Sequence, residues 1–240
     1  MASKKPQLLF IHGFRGSPSG LEQITEYFPD YDGFAPYIPP SGGEPLAKYD
    51  LKHYVDFLAD YIKEHDLHKP VLIGHSMGAI IAAAMANRHP ELVNRKLILL
   101  APITKKVARP IAWLAPLMII LPRDLVSYII NSYLFVPRYD RYLYKATLEE
   151  AKEGAHYYTS RLDLAKAAKF SSSHTVDIFK LRQKTLIIAG EKDRIVPVKS
   201  TQKFAKKIGA KAVFIPGTGH LLNYENPKLV AKLIRGFLAK

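Results

Sequence analysis

The run Val71-Leu72-Ile73-Gly74-His75-Ser76-Met77-Gly78 sets an apolar, strand-forming segment directly against a serine with a glycine two residues to either side. The helix-forming stretch Ala79-Ile80-Ile81-Ala82-Ala83-Ala84-Met85-Ala86 begins at once after it. A chain that passes from strand to helix without a loop has to turn sharply at the serine, and the serine then stands on a strained turn with its hydroxyl above the sheet edge. Gly74 and Gly78 fit the close approach of strand to helix, which a side chain would crowd. The start of the helix directs backbone N–H groups toward the serine, where negative charge can be stabilised. A passive serine in a glycine-rich turn is the plainer alternative. The flanking strand and helix patterns favour the nucleophile.

A serine hydroxyl is a weak nucleophile without a base. The apolar segment Ala212 to Ile215 ends in the loop Pro216-Gly217-Thr218-Gly219-His220, which makes His220 the candidate. His53, His65 and His68 lie on or beside the polar helix expected around 48–67, and His89 stands at a helix end before Pro90. His75 adjoins the serine but is expected to point away from its hydroxyl and to pack. His12 is expected to brace its own loop. The base needs an orienting carboxylate, and Asp193 follows the buried segment Thr185 to Gly190. Glu191 is its near rival, while Asp163 and Asp177 lie outside any strand-to-loop junction. The carboxylate would hold the imidazole tautomer and stabilise the imidazolium. Two backbone donors complete the expectation: the N–H of Met77 and that of Phe14, in the loop His12-Gly13-Phe14-Arg15-Gly16 after the first strand.

With these residues in place, the chain resembles the α/β-hydrolase superfamily. Within it, the resemblance is to compact bacterial carboxylesterases, lipases, haloperoxidase-like esterases and carbon–carbon bond hydrolases. It rests on His12-Gly13-Phe14, Gly74-His75-Ser76-Met77-Gly78, Gly190-Glu191-Lys192-Asp193 with Ile195-Val196-Pro197, and Gly217-Thr218-Gly219-His220, in that order along nearly the whole chain. The resemblance implies a triad of Ser76, Asp193 and His220 and oxyanion donors at Phe14 and Met77. Ser76 argues against epoxide hydrolases and dehalogenases, which carry an aspartate at the elbow. The stretch Tyr37-Ile38-Pro39-Pro40-Ser41-Gly42-Gly43 lacks the aspartate that many relatives carry there, so a differently shaped pocket entrance is expected. Arg15 reads either as an anion-binding group or as a solvated residue at the entrance.

The 240 residues suit one α/β domain, and 48% hydrophobic content is enough for a sheet covered on both faces. Strands are expected near 7–12, 34–38, 71–75, 96–100, 185–189 and 211–215. Helices are expected near 18–26, 49–65, 77–88, 198–208 and 227–239, with stops at Pro90 and Gly209. This alternation predicts a three-layer fold around a mostly parallel, six-stranded sheet, with the active loops at the carboxyl ends of the strands. Residues 102–175 break the alternation. The segment Pro110 to Pro122 is almost wholly apolar, too short and too interrupted to span a membrane. Helices are expected over Asp124 to Phe135 and within Leu148 to Ala168. The resemblance implies a helical cap here, inserted in a core formed by 1–101 and 176–240. Trp113, Leu117, Met118, Leu121 and Tyr128 are the candidates to line an apolar acyl site beneath it.

The chain contains no cysteine, which excludes disulfides and thiol chemistry. The start, Met1-Ala2-Ser3-Lys4-Lys5-Pro6, has no apolar core of a secretory signal, so a cytoplasmic location is expected. No nucleotide-binding glycine pattern or metal-ligand cluster is legible, and no cofactor is expected. The net charge of +14 is spread over helices and loops, densest at Lys203/Lys206/Lys207/Lys211 and Lys228/Lys232/Arg235/Lys240. No nucleic-acid module accompanies it, so nucleic acid is not an expected partner. Loose contact with an anionic membrane surface is the second reading of the charge, after simple solubility. The oligomeric state is left open.

Three functional readings follow. The first is a serine hydrolase acting through an acyl-enzyme on a small or medium, mainly apolar carboxylic ester. The second is a carbon–carbon hydrolase of meta-cleavage type, with Arg109, Arg123 or Arg161 supplying cationic groups. The third is a hydrolase fold that binds a small ligand without turnover.

Overall fold

The computed structural model describes residues 5–42, 44–103, 125, 160–173 and 181–240. Six strands form one sheet: β1 (Gln7–Ile11), β2 (Asp32–Phe34), β3 (Val71–His75), β4 (Lys96–Leu100), β5 (Lys184–Gly190) and β6 (Lys211–Ile215). Their order across the sheet is β2-β1-β3-β4-β5-β6, and every neighbouring pair is parallel. Parallel neighbours require crossovers, and α1 (Ser19–Thr25), α2 (Leu51–Glu64), α3 (Met77–Arg88), α4 (Arg161–Ser173) and α5 (Val198–Ile208) lie in them, while α6 (Leu222–Glu225) and α7 (Pro227–Leu238) follow β6.

The period of two along each strand sorts the core into two layers. Leu9 and Ile11 of β1, Leu72 of β3, Leu97 and Leu99 of β4 and Ile187 of β5 face α2, α3 and α5. The alternate residues Leu8, Phe10, Ile73, Ile98, Leu100 and Ile188 face α1 and α7. Burial on both sides explains why these strands read as continuous apolar runs. Helix α3 lies in the middle of the first layer, with Met77 to Ala86 all buried, and this is why it shows no polar face.

Local chemistry sets the element ends. The carboxylate of Asp50, in extended backbone, accepts the His53 N–H at 3.0 Å and starts α2. Gly209, at φ 67°, ends α5, where the Ala210 N–H returns to Ala205 O at 2.9 Å. One strand differs from expectation. β2 pairs over Asp32–Phe34 and not over 34–38. Pro36 has no N–H to give to a ladder, and the Ile38 N–H is taken instead by His12 Nε2 at 2.8 Å. The short helix α6 was not expected.

From the segment between β4 and β5, α4 packs on the core. Its Phe170 ring lies 5.0 Å from that of Tyr54 on α2, and Leu164 packs against Phe14. The basic groups of α5 and α7 face solvent, with Arg235 paired to Asp30 at 2.5 and 3.0 Å. Among the described residues no helix is long and apolar enough to cross a membrane.

Candidate active site

Three strand ends deliver the site. Ser76 follows β3 with φ 55° and ψ −116°, a left-handed turn held although serine has a Cβ. Its N–H is fixed by Leu100 O at 2.8 Å, and α3 begins at the next residue. Such strain persists only where the surroundings over-determine it, and here they do. A Cβ on Gly74 would collide with the backbone of Gly78 and Ala79, and one on Gly78 with the carbonyls of Ile11 and His12. The glycines therefore allow α3 to press onto both β3 and the end of β1.

His220 stands on the loop after β6, and Asp193 on the loop after β5. His220 Nε2 lies 2.9 Å from Ser76 Oγ, and Nδ1 lies 2.8 Å from Asp193 Oδ2. A carboxylate only accepts, so Nδ1 carries the proton and Nε2 is left to accept from the serine hydroxyl. The second oxygen of Asp193 accepts the Ile195 and Val196 N–H groups, each at 2.8 Å. These bonds lock the carboxylate's orientation. All three side chains are buried, so their attractions are poorly screened.

The rival acids lie elsewhere. Glu191 is exposed. Asp163 is engaged at the start of α4, where Ser160 Oγ accepts its N–H at 3.0 Å and the Ser160 hydroxyl donates to its carboxylate at 2.6 Å. Asp177 lies outside the described residues.

The loop after β1 closes the other side. Gly16 N–H bonds to Gly13 O at 3.0 Å, with Phe14 and Arg15 at the corners and Arg15 at φ 60°. A positive φ at the third turn residue is the type II arrangement. A Cβ on Gly13 would stand 2.9 Å from Ser76 Cβ and 3.2 Å from His75 O. That close approach brings the Phe14 backbone beside the nucleophile. Met77, as the first residue of α3, has an N–H with no partner inside the helix.

His12 carries this loop. Nε2 accepts from Ile38 N and Nδ1 donates to Gly13 O, each at 2.8 Å. One ring thus ties the β1 turn to the segment after β2. Burial lowers its pKa to about 4, so it is neutral in this role. His75 Nε2 donates to His220 O at 2.9 Å. Burial and the neighbouring His220 bring its pKa down to about 3.

One functional candidate was not anticipated. The buried carboxylate of Glu225, on α6, accepts the Gly219 N–H at 2.7 Å and the Leu221 N–H at 3.2 Å. Burial raises its pKa. The only sequence signal was an acid directly after Leu221-Leu222-Asn223-Tyr224, two residues before the helix-starting Pro227. Of the remaining candidates, Trp113, Leu117, Met118, Leu121 and Tyr128 lie outside the described residues, as do Arg109 and Arg123. Arg161 is exposed at the start of α4.

Residues 8–233 match the Alpha/beta hydrolase family. The Mycoplasma pneumoniae protein named "Putative esterase/lipase 2" is 27% identical over 98% of this chain and 90% of its own length. The 2-hydroxymuconate semialdehyde hydrolase of Pseudomonas putida is 26% identical over 88% of this chain and 76% of its own. Among solved structures, a thermophilic esterase from Thermogutta terrifontis superposes with a TM-score of 0.81 at 21% identity, over 98% of this chain and 90% of that one.

Proposed function

The chain belongs to the alpha/beta hydrolase family, and from that premise we propose that it is a serine hydrolase cleaving carboxylic esters of small or medium, mainly apolar acyl groups. The observation that carries the reading is the buried chain of hydrogen bonds from Ser76 Oγ through His220 to Asp193. The names of relatives such as the Mycoplasma esterase/lipase support the ester class.

In the proposed reaction Ser76 Oγ attacks the ester carbonyl while His220 Nε2 takes its proton. The new C–O bond places negative charge on the former carbonyl oxygen, which the Phe14 and Met77 N–H groups face. One such donor contributes about 3 kcal/mol of transition-state stabilisation. Collapse breaks the bond to the leaving alkoxide, and the imidazolium protonates it. Water then attacks the acyl-enzyme with His220 again as base. It releases the acid and returns the proton to Ser76. Asp193 stays ionised, holding the Nδ1–H tautomer and stabilising the imidazolium.

The division into a core of 1–101 and 176–240 and a cap of 102–175 belongs to this reading. So does an acyl site lined by Trp113, Leu117, Met118, Leu121 and Tyr128. The packing of α4 on Phe14 supports a cap that reaches the oxyanion loop. The exposed lysines of α5 and α7 support loose contact with an anionic membrane surface. The second reading, hydrolysis of a carbon–carbon bond, is favoured by the name of the Pseudomonas relative.

Intact-mass analysis after treatment with a fluorophosphonate tests the reading. One adduct is expected, mapped to Ser76 and absent from Ser76→Ala, which keeps its fold and loses ester turnover. Labelling elsewhere, or full activity in the alanine variant, overturns it.

A further inference from the structure

The His220 loop crosses the end of β5 so closely that a Cβ on Gly190 would strike the carbonyls of Thr218 and Gly219. On that side the loop is held by Thr218 O, which accepts the Lys192 N–H at 2.8 Å. The loop's own donors face the other way. Those of Gly219 and Leu221, the residues on either side of His220, both end on the carboxylate of Glu225, one on each oxygen. The His220 carbonyl between them is taken by His75. Glu225 is 5% exposed. A carboxylate is costly to bury unless it is well bonded, and this one accepts two main-chain bonds that bracket a single residue.

We propose that Glu225 is a positioning residue: its carboxylate clamps the backbone on both sides of His220 and so sets the distance of Nε2 from Ser76 Oγ. The proposal rests on the serine-hydrolase reading. A ring on a glycine-rich loop, three residues after Gly217 at φ 69°, has many backbone states available. Asp193 restrains it only at Nδ1, about which the ring can still swing. Two bonds to the flanking N–H groups remove that freedom without touching the imidazole. Among the described residues, His220 and Asp193 are titratable groups whose charge reaches Glu225. The Glu225 charge therefore also favours the imidazolium that forms when His220 takes the serine proton.

The test compares Glu225→Gln with wild type and with Asn226→Ala. The last removes a neighbouring loop bond, from Asn226 Nδ2 to Thr218 Oγ1 at 2.8 Å. Gln keeps the shape but sets an NH2 against one of the two N–H groups. Its kcat on a soluble ester is expected to fall tenfold or more with KM nearly unchanged. Fluorophosphonate labelling should slow in parallel. Asn226→Ala should stay within about twofold of wild type. Equal labelling rates for wild type and Glu225→Gln, or an equal loss in Asn226→Ala, overturn the proposal. A wild type that is not labelled at Ser76 overturns the serine-hydrolase reading instead. Should Glu225→Gln fail to fold, the wild-type amide shifts of Gly219 and Leu221 decide. They are expected to titrate together, with one midpoint above the ordinary carboxylate range, and separate or absent titrations overturn the clamp.

Discussion

His75 Nε2 donates to the main-chain carbonyl of His220 at 2.9 Å, so the residue before Ser76 holds the backbone of the residue whose ring faces Ser76. The two rings lie 5.2 Å apart, tilted by 50°. A carbonyl only accepts, which fixes the His75 proton on Nε2. The elbow and the histidine loop are thus joined by a bond between residues 145 apart in sequence.

Removing that bond should disturb activity before it disturbs the fold. His75→Ala leaves the buried His220 carbonyl without its donor, at about 1–3 kcal/mol in stability. Turnover should drop about tenfold with KM little changed. Urea unfolding and steady-state kinetics on one preparation separate the two effects.

Asp193→Asn keeps an oxygen for the Ile195 and Val196 N–H groups, so the loop should hold. The amide nitrogen then faces His220 Nδ1 and favours the tautomer with the proton on Nε2, where it cannot accept from Ser76. A loss of about 10⁴ in kcat is expected. Glu191→Gln, at an exposed position, should stay within about twofold. Reversed results would transfer the orienting role to Glu191.

Two glycines should respond oppositely to alanine. At Gly190 a Cβ meets only backbone, the carbonyls of Thr218 and Gly219. The His220 loop must move, and a loss of about 1–3 kcal/mol with a fall in activity is expected. At Gly236, exposed inside α7, a Cβ meets nothing within 4 Å. There alanine should stabilise by about 0.5–1 kcal/mol. Denaturant midpoints of the two variants give both signs.

Acid should weaken the fold through His12 and His75. In the folded chain burial brings their pKa values down to about 4 and about 3, below the ordinary histidine value of 6.5. The unfolded chain therefore binds more protons between pH 6.5 and 3, and stability falls as pH drops through that window. Each histidine contributes about 2 kcal/mol of loss between pH 7 and 5. Glu225, whose pKa is raised, works in the opposite direction. Urea unfolding at the two pH values should show the net loss, and His12→Gln should reduce it.

Esters of increasing acyl length test the proposed site beneath the cap. Each buried methylene is worth about 0.8 kcal/mol, close to fourfold in kcat/KM, until the site is full. A rise followed by a fall is expected for acetate through palmitate, and Trp113→Ala should displace the maximum. A flat profile removes the apolar-site proposal. Turnover of a meta-cleavage diketone far above every ester would favour the carbon–carbon reading.

Much of this was legible in the linear chain because it is local. An apolar run buried on both faces needs only its own residues to read as a parallel strand, and β1, β3, β4 and β6 lie close to where their patterns put them. The Ser76 elbow is a matter of glycine spacing between one strand and one helix. Asp193 and His220 were identified by their place after a strand.

Relations between distant segments were decided only in three dimensions. β2 does not reach residue 38 as its pattern suggested, and the His12 ring, from the loop after β1, takes the Ile38 N–H. Asp193 and Glu191 are two residues apart and chemically alike. Only the turn after β5 buries one against His220 and leaves the other in water. Glu225 left almost no trace in sequence, because its partners are main-chain N–H groups that every residue but proline carries. Residue types and spacings determine strands, helices and a strained turn, since those depend on neighbouring side chains and local backbone sterics. Which carboxylate, carbonyl or ring meets which partner depends on how the elements stack, and that is settled by packing over the whole sheet.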